Sequence, residues 1–215
     1  AKSKFEIDTV YKIQVVFHIV YNSQIENVSD DYVYSQLKIL NDCFRRTSAD
    51  TSETRRIFRD VAGDARIEFE LAQVDPIGNP SSGIVRKQTV ISSFGGGDYD
   101  LRDRVKSEPY GSAAWDTEKY LNIWVCDLSR GGVDGLLGYA YPPVNSEFWQ
   151  ATNYGNITRE KQGVVLHYKV LGGSFNGGVE NFTEGKSLVH EVVHYLGLRH
   201  IWEDGGCYVD DFWMT

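Results

Sequence analysis

The chain has 215 residues, 22 Lys and Arg against 30 Asp and Glu, a formal net charge of −8, 41% hydrophobic and 24% charged residues. Such values fit one globular domain with a full core and exclude disordered and fibrous classes. The acid excess leaves no dense basic stripe to displace phosphate counterions, which excludes nucleic acid as a partner, and the best apolar run, 15–20, is too short for a membrane helix and is interrupted by His18.

The β-branched and aromatic run KIQVVFHIVY at 12–21, closed by Asn22 and Ser23, predicts a strand. Ser29 precedes two acids, and Val33, Leu37, Leu40 and Phe44 follow at helical spacing, which predicts an amphipathic helix over 30–46 capped by Ser29. A shorter helix is expected over 52–60. RIEFELAQV at 66–74 alternates like a half-buried strand and ends at the turn cluster DPIGNP. Residues 83–89 predict another strand, Gly95–Gly97 a mobile loop, and 100–106 one or two helical turns. YLNIWVCDL at 120–128 has the composition of a buried central strand. Weaker strands follow at 137–141, placed at a sheet edge by the prolines after it, and at 163–168. With no internal repeat and no long linker, the expected fold is α/β (α+β): a mixed sheet with packed helices.

The chemistry is concentrated in GKSLVHEVVHYLGLRHIWEDGGC, residues 185–207. His190 and His194 lie four apart, so a helix presents both imidazoles on one face, able to share one metal ion at about 2.0–2.1 Å. Glu191 beside them can reach water at the metal without occupying a coordination position. Gly197 suits a helix end with positive φ, and a sharp turn there can return His200 to the same ion. Three histidine ligands and an open fourth position mark a catalytic rather than a structural zinc. Core packing explains Leu188, Val192 and Leu196, with Ser187 as the expected cap. It does not explain three of five histidines within eleven residues around a Glu and a Gly. A chance match to H-E-x-x-H-x-x-G-x-x-H has odds on the order of 10⁻⁵.

The segment HEVVHYLGLRH resembles the zinc site of the metzincin metallopeptidases. The stretches QVVFHIVYN, LNDCFRRTSAD, IEFELAQVDPIGNPSSGIVRKQT, LNIWVCDLSRGGVDGLLGYAYPP and HIWEDGGCYVDDF resemble, in order, landmarks of their pappalysin family. The resemblance implies a twisted mixed sheet above a cleft, with an active-site helix and a small C-terminal subdomain below. It implies zinc on His190, His194 and His200, with Glu191 as general base. Residues 137–141 become the edge strand at the cleft rim, offering backbone groups to an extended polypeptide substrate. Family membership further implies secretion, an inhibitory propeptide and calcium. The acids Glu203, Asp204, Asp210 and Asp211 lie where family calcium ligands occur, with Asp211 the chosen one; a solvated acidic loop explains them as well.

Three features depart from the family pattern. The chain opens on Ala1 without a signal peptide, so 1–215 reads as a single catalytic domain without its propeptide. Met214, fourteen residues after His200, lacks the Asp/Asn-Tyr that follows the family's Met-turn and reads as an ordinary apolar residue, so the C-terminal subdomain reads as incomplete. Cys207 resembles a family cysteine whose partner lies further downstream. Cys43 and Cys126 read as buried thiols, with a disulfide between them left open. His18 reads as a core histidine, as does His167, which can also lie near the cleft. The triplets beginning at Asn27, Asn156 and Asn181 match the glycosylation pattern, which arises often by chance.

The sequence therefore predicts a secreted zinc endopeptidase in which Glu191 moves the proton of the attacking water. One rival is a catalytically silent zinc-binding or adhesion module of the same fold. Another is an aromatic-rich glycan-binding domain, whose sugar affinity survives zinc removal.

Overall fold

The computed structural model describes residues 9–144, 157–173 and 184–200. Its six strands form one sheet: β1 (Tyr11–Tyr21), β2 (Ile67–Leu71), β3 (Ile84–Gln88), β4 (Tyr120–Cys126), β5 (Gly138–Tyr141) and β6 (Gly163–His167). The order is β2-β1-β4-β6-β5. The first half of β1 pairs with β2 (Tyr11 opposite Ile67) and its second half with β3 (Phe17 opposite Ile84), so the two short strands share one edge. All pairings are parallel except that of β5, which runs antiparallel to β6. The expected mixed sheet, central β4 and edge position of 138–141 are all present.

A parallel sheet must be covered on both faces, and the period of two divides the apolar side chains between them. Val15, Phe17, Ile19, Ile123, Val125, Val164 and Leu166 face one core. It is completed by Val33, Leu40 and Phe44 of α1 (Asp30–Phe44) and by Leu188 and Val192 of α3 (Lys186–Tyr195). Val20, Trp124, Cys126 and Val165 face a second, smaller core. There Phe94 and Val105, from the segment carrying α2 (Tyr99–Asp103), cover them.

Local differences from the sequence reading have physical causes. Ser29 occupies the N-cap of α1 in extended conformation, but its side chain makes no capping bond. Over 52–60 there is no α-helix; two 3-10 turns, Ala49–Glu53 and Arg56–Phe58, take its place. Here Ser52 and Thr54 hydroxyls donate to the Ala49 and Thr51 carbonyls at 3.0 and 2.8 Å, local bonds that compete with a longer helix. The glycine-rich loop is anchored at its start: Phe94 is buried and donates its N–H to the Asp127 carbonyl at 2.9 Å, and Gly95 is buried too. Cys43 is half-buried and Cys126 buried, and both are free, so no disulfide joins them.

His18 is the core histidine expected. It is fully buried, stacked on Trp124 with ring centroids 5.2 Å apart, and sits between Ser112 Oγ (2.8 Å from Nδ1) and Asn122 Oδ1 (3.0 Å from Nε2). A neutral imidazole satisfies both partners, donating from Nε2 and accepting at Nδ1. Burial lowers its pKa to about 4, from an ordinary 6.5. The neutral ring therefore favours the folded state above pH 6.5, and that contribution is lost as acid protonates the unfolded chain first. Urea unfolding at pH 7.5 and pH 5 is expected to differ by about 2 kcal/mol from this residue alone, and His18→Gln to lose that difference. An unchanged pH dependence in His18→Gln would contradict the assignment.

Candidate metal centre and active-site cleft

Helix α3 begins where α1 holds it. Gln36, fully buried on α1, donates from Nε2 to the Gly185 carbonyl at 2.8 Å and accepts the Gly172 N–H at 2.9 Å. Gly185 itself, at φ +67°, is the N-cap, so the expected cap Ser187 lies inside the first turn. Lys186 fastens the same turn to Asp50 at 2.5 Å and to Glu184 at 3.0 Å. Leu188 and Val192 then bury one face of α3 in the larger core, while His190 and His194 point the other way, into the cleft.

The helix stops at Leu196 with both bonds of a Schellman motif. Gly197 N–H donates to the His194 carbonyl at 2.9 Å and Leu198 N–H to the Val193 carbonyl at 3.1 Å. Gly197 adopts φ +99°, a conformation that disfavours any side chain. The turn returns His200 to the helix face as the spacing predicted. The three Nε2 atoms form a nearly equilateral triangle: His190–His194 3.0 Å, His194–His200 3.1 Å, His190–His200 3.2 Å.

That triangle tests whether a metal fits. His194 Nδ1 lies 2.7 Å from the Leu198 carbonyl, so Nδ1 carries the proton and Nε2 turns a lone pair to the centre. Lone pairs converging from three rings repel one another unless a cation lies between them. Tetrahedral zinc at 2.0–2.1 Å separates its nitrogens by about 3.3 Å, close to the separations present. His190, His194 and His200 form the metal-capable cluster among the described residues.

Glu191 projects to the side of the triad, against the edge strand. It is 9% exposed, and burial raises its carboxyl pKa to about 7; a cation beside it draws that value down again. What brings it there is Gly138, the first residue of β5. A Cβ at this position would stand 2.8 Å from Glu191 Cγ and 2.9 Å from the Val165 carbonyl oxygen. The strand and the Glu191 side chain therefore touch only because residue 138 has no side chain. A glycine inside a predicted strand is the sequence signal for such a close approach.

Two cavities meet at this point and share Gly138, His190 and Glu191. One, of about 440 Å³, extends past Leu137 toward Glu184, Lys186 and Ser187 at the start of α3. The other, of about 310 Å³, extends along β5 to Tyr141, beneath Tyr99 and Arg102. Neither Tyr99 nor Arg102 stood out in the sequence, because nothing local marks a residue that only the packing of α2 brings to the cleft.

The remaining histidines stay out of the triad. His18 is in the smaller-core face, and His167 is buried at the end of β6 with Nε2 3.1 Å from Asp134 Oδ1, in the segment leading to β5. Asp134 also binds Lys169 at 2.8 Å. The calcium candidates Glu203, Asp204, Asp210 and Asp211, together with Cys207, Met214, Asn156 and Asn181, lie outside the described residues.

No family model matches the chain. Among solved structures it is similar to mature mirolysin of Tannerella forsythia in complex with a cleaved peptide. The two are 38% identical, over 94% of this chain and 71% of that one, with a TM-score of 0.79. A Tannerella forsythia promirolysin mutant gives 38% identity, 94% and 62% coverage, and the same TM-score. An extracellular metalloprotease of Arthroderma gypseum is 24% identical over 200 residues, covering 92% of this chain and 52% of the relative. The chain thus spans about half the length of the curated relatives it matches.

The fold is that of the metzincin metallopeptidases, with the sheet's antiparallel edge strand lying along the helix that carries the histidines. Within that class the chain belongs to the pappalysin family, of which mirolysin is a member.

Gly138→Ala is expected to leave metal content at the wild-type level, since the atoms nearest an added methyl belong to Glu191 and Val165 and not to the triad, while moving Glu191 off its position. Misplacement by about 1 Å costs on the order of 100-fold where geometry is critical. Metal analysis alongside hydrolysis of a protein substrate reads both effects, and unchanged hydrolysis would refute the positioning contact.

Proposed function

We propose that this chain is the catalytic part of a zinc-dependent endopeptidase that cleaves polypeptides outside the cell. The observation that supports the reading most is the convergence of three imidazole nitrogens within 3.2 Å of one another, with the carboxylate of the intervening Glu191 pressed toward the cleft. Zinc held by His190, His194 and His200 supplies a Lewis acid that polarises the scissile carbonyl and acidifies water.

The protein's own groups do the rest. Glu191 accepts the proton of the attacking water and delivers it to the leaving nitrogen, a role that its position between the triad and the rim suits. Strand β5 supplies the means of holding substrate. Its bonded pairs with β6 are at 137–167, 139–165 and 141–163, since His167 N–H donates to the Leu137 carbonyl and the antiparallel pattern alternates. Gly138 and Ala140 therefore turn their N–H and C=O groups outward. An extended peptide can add there as a further strand, its scissile bond carried past Glu191.

Relatives named extracellular metalloproteases, and the precursor form of mirolysin, support secretion as a zymogen. No helix among the described residues is long and apolar enough to cross a membrane. Calcium, with Asp211 among its ligands, belongs to the same reading.

Glu191→Ala is expected to retain one zinc per chain and to lose between 100- and 10,000-fold in turnover, roughly the range of general acid–base catalysis. Wild-type turnover in that variant would refute Glu191 as the general base, and no turnover by the wild type itself would return the chain to the class of silent zinc-binding modules. For calcium, titration with a calcium-selective chelator at fixed zinc is expected to lower the melting temperature of the full-length protein. No shift would leave the acidic segment as a solvated loop.

A further inference from the structure

The cleft is unevenly charged. In a chain of net charge −8, the cavity along β5 is lined by Arg102 and Arg199, and among the described residues its one carboxylate is the buried Glu191. The cavity on the other side of Glu191 holds Glu184 and Lys186, already paired with each other at 3.0 Å.

Arg102 is held in place rather than trailing in solvent. Its backbone carbonyl accepts the Tyr139 hydroxyl at 3.1 Å, which fastens α2 to the rim strand. Its Nε–H donates to the Gly96 carbonyl at 2.8 Å, and the guanidinium carbon lies 5.2 Å from the centre of the Tyr99 ring. Behind it the segment is locked by Lys106, whose buried ammonium donates to the Lys161 carbonyl at 2.8 Å and packs 3.7 Å from the Tyr141 ring centre. Two contacts therefore orient the guanidinium plane, while its terminal amino groups bind no carboxylate among the described residues. A half-buried, pre-oriented guanidinium beside a rim built for an extended peptide is arranged to receive a planar anion in bidentate fashion.

We propose that Arg102 is a specificity-determining residue that pairs with an acidic side chain of the substrate on the Tyr141 side of the scissile bond. The inference rests on the peptidase reading above and deepens it. Antiparallel addition to β5, the stronger pairing, puts that side N-terminal to the cleaved bond. Tyr141 lies three residue steps along β5 from Gly138, at Glu191, so the acid falls within the first three substrate residues N-terminal to cleavage, at about 3.4 Å per residue.

The test uses fluorescent peptides identical except for Glu, Gln or Lys at each of those three positions. Binding to the zinc-loaded full-length Glu191→Gln variant is read by anisotropy, and kcat/KM is read with the wild type. At one position the Glu peptide is expected to bind about tenfold more tightly than the Lys peptide, with a matching ratio in kcat/KM, the size of one charge-assisted bond. Arg102→Gln should bring the ratio near one and Arg102→Glu should invert it. Ratios cancel any general loss of activity, so a purely structural role would not move them. Cleavage without a Glu preference, or a preference unchanged in both Arg102 variants, overturns the role of Arg102 alone. A preference in binding with no cleavage by the wild type supports Arg102 and overturns the peptidase reading.

Discussion

The close approach of α3 to the edge strand, made at Gly138, is the constraint on which the rest of the cleft depends. A helix and a strand come near enough for the Glu191 side chain to rest on the strand backbone, with no room for a single methyl group between them. Three consequences follow from that one contact. The carboxylate is fixed relative to the imidazoles one residue before and three after it, it is shielded from water, and the outer edge of β5 is brought alongside the metal site. A looser approach would leave the triad intact and separate the Glu191 carboxylate from the outer edge of β5.

The approach is enforced from both ends of the helix. At the start, a buried glutamine on α1 satisfies two backbone groups, the Gly185 carbonyl and the Gly172 N–H, that would otherwise be stranded in the core. At the end, Gly197 lets the chain reverse in a left-handed conformation while keeping the terminal carbonyls bonded. Between them Leu188 and Val192 fix the rotation of the helix by burying its opposite face. The convergence of the three imidazoles is thus supported by ordinary packing and capping. His18, deeply buried on the other face of the sheet, is neutral and satisfied by Ser112 and Asn122.

The upper wall of the cleft has a different origin. Tyr99 and Arg102 sit on a five-residue helix that has no core of its own and is attached to β5 through Tyr139 and through the buried Lys106. Changes there can alter the shape and charge of the cleft without touching the three histidines or Glu191.

What the sequence determined by itself was whatever depends on spacing along the chain. Histidines four apart on a helix, a glycine three further on and a third histidine after the turn specify three converging imidazoles, because helical pitch and the left-handed preference of glycine convert separation into position. Strand periodicity likewise gave β1, β4 and the edge strand at 138–141. Short polar stretches were less legible, as at 49–58, where hydroxyl side chains bonding their own backbone produce 3-10 turns in place of the expected helix. Only the tertiary structure decided that Gly138 meets Glu191, that Gln36 of α1 bonds the backbone at the start of α3, and that Arg102 reaches the cleft. Those contacts join residues dozens of positions apart, and their chemistry arises from distances that no local pattern encodes.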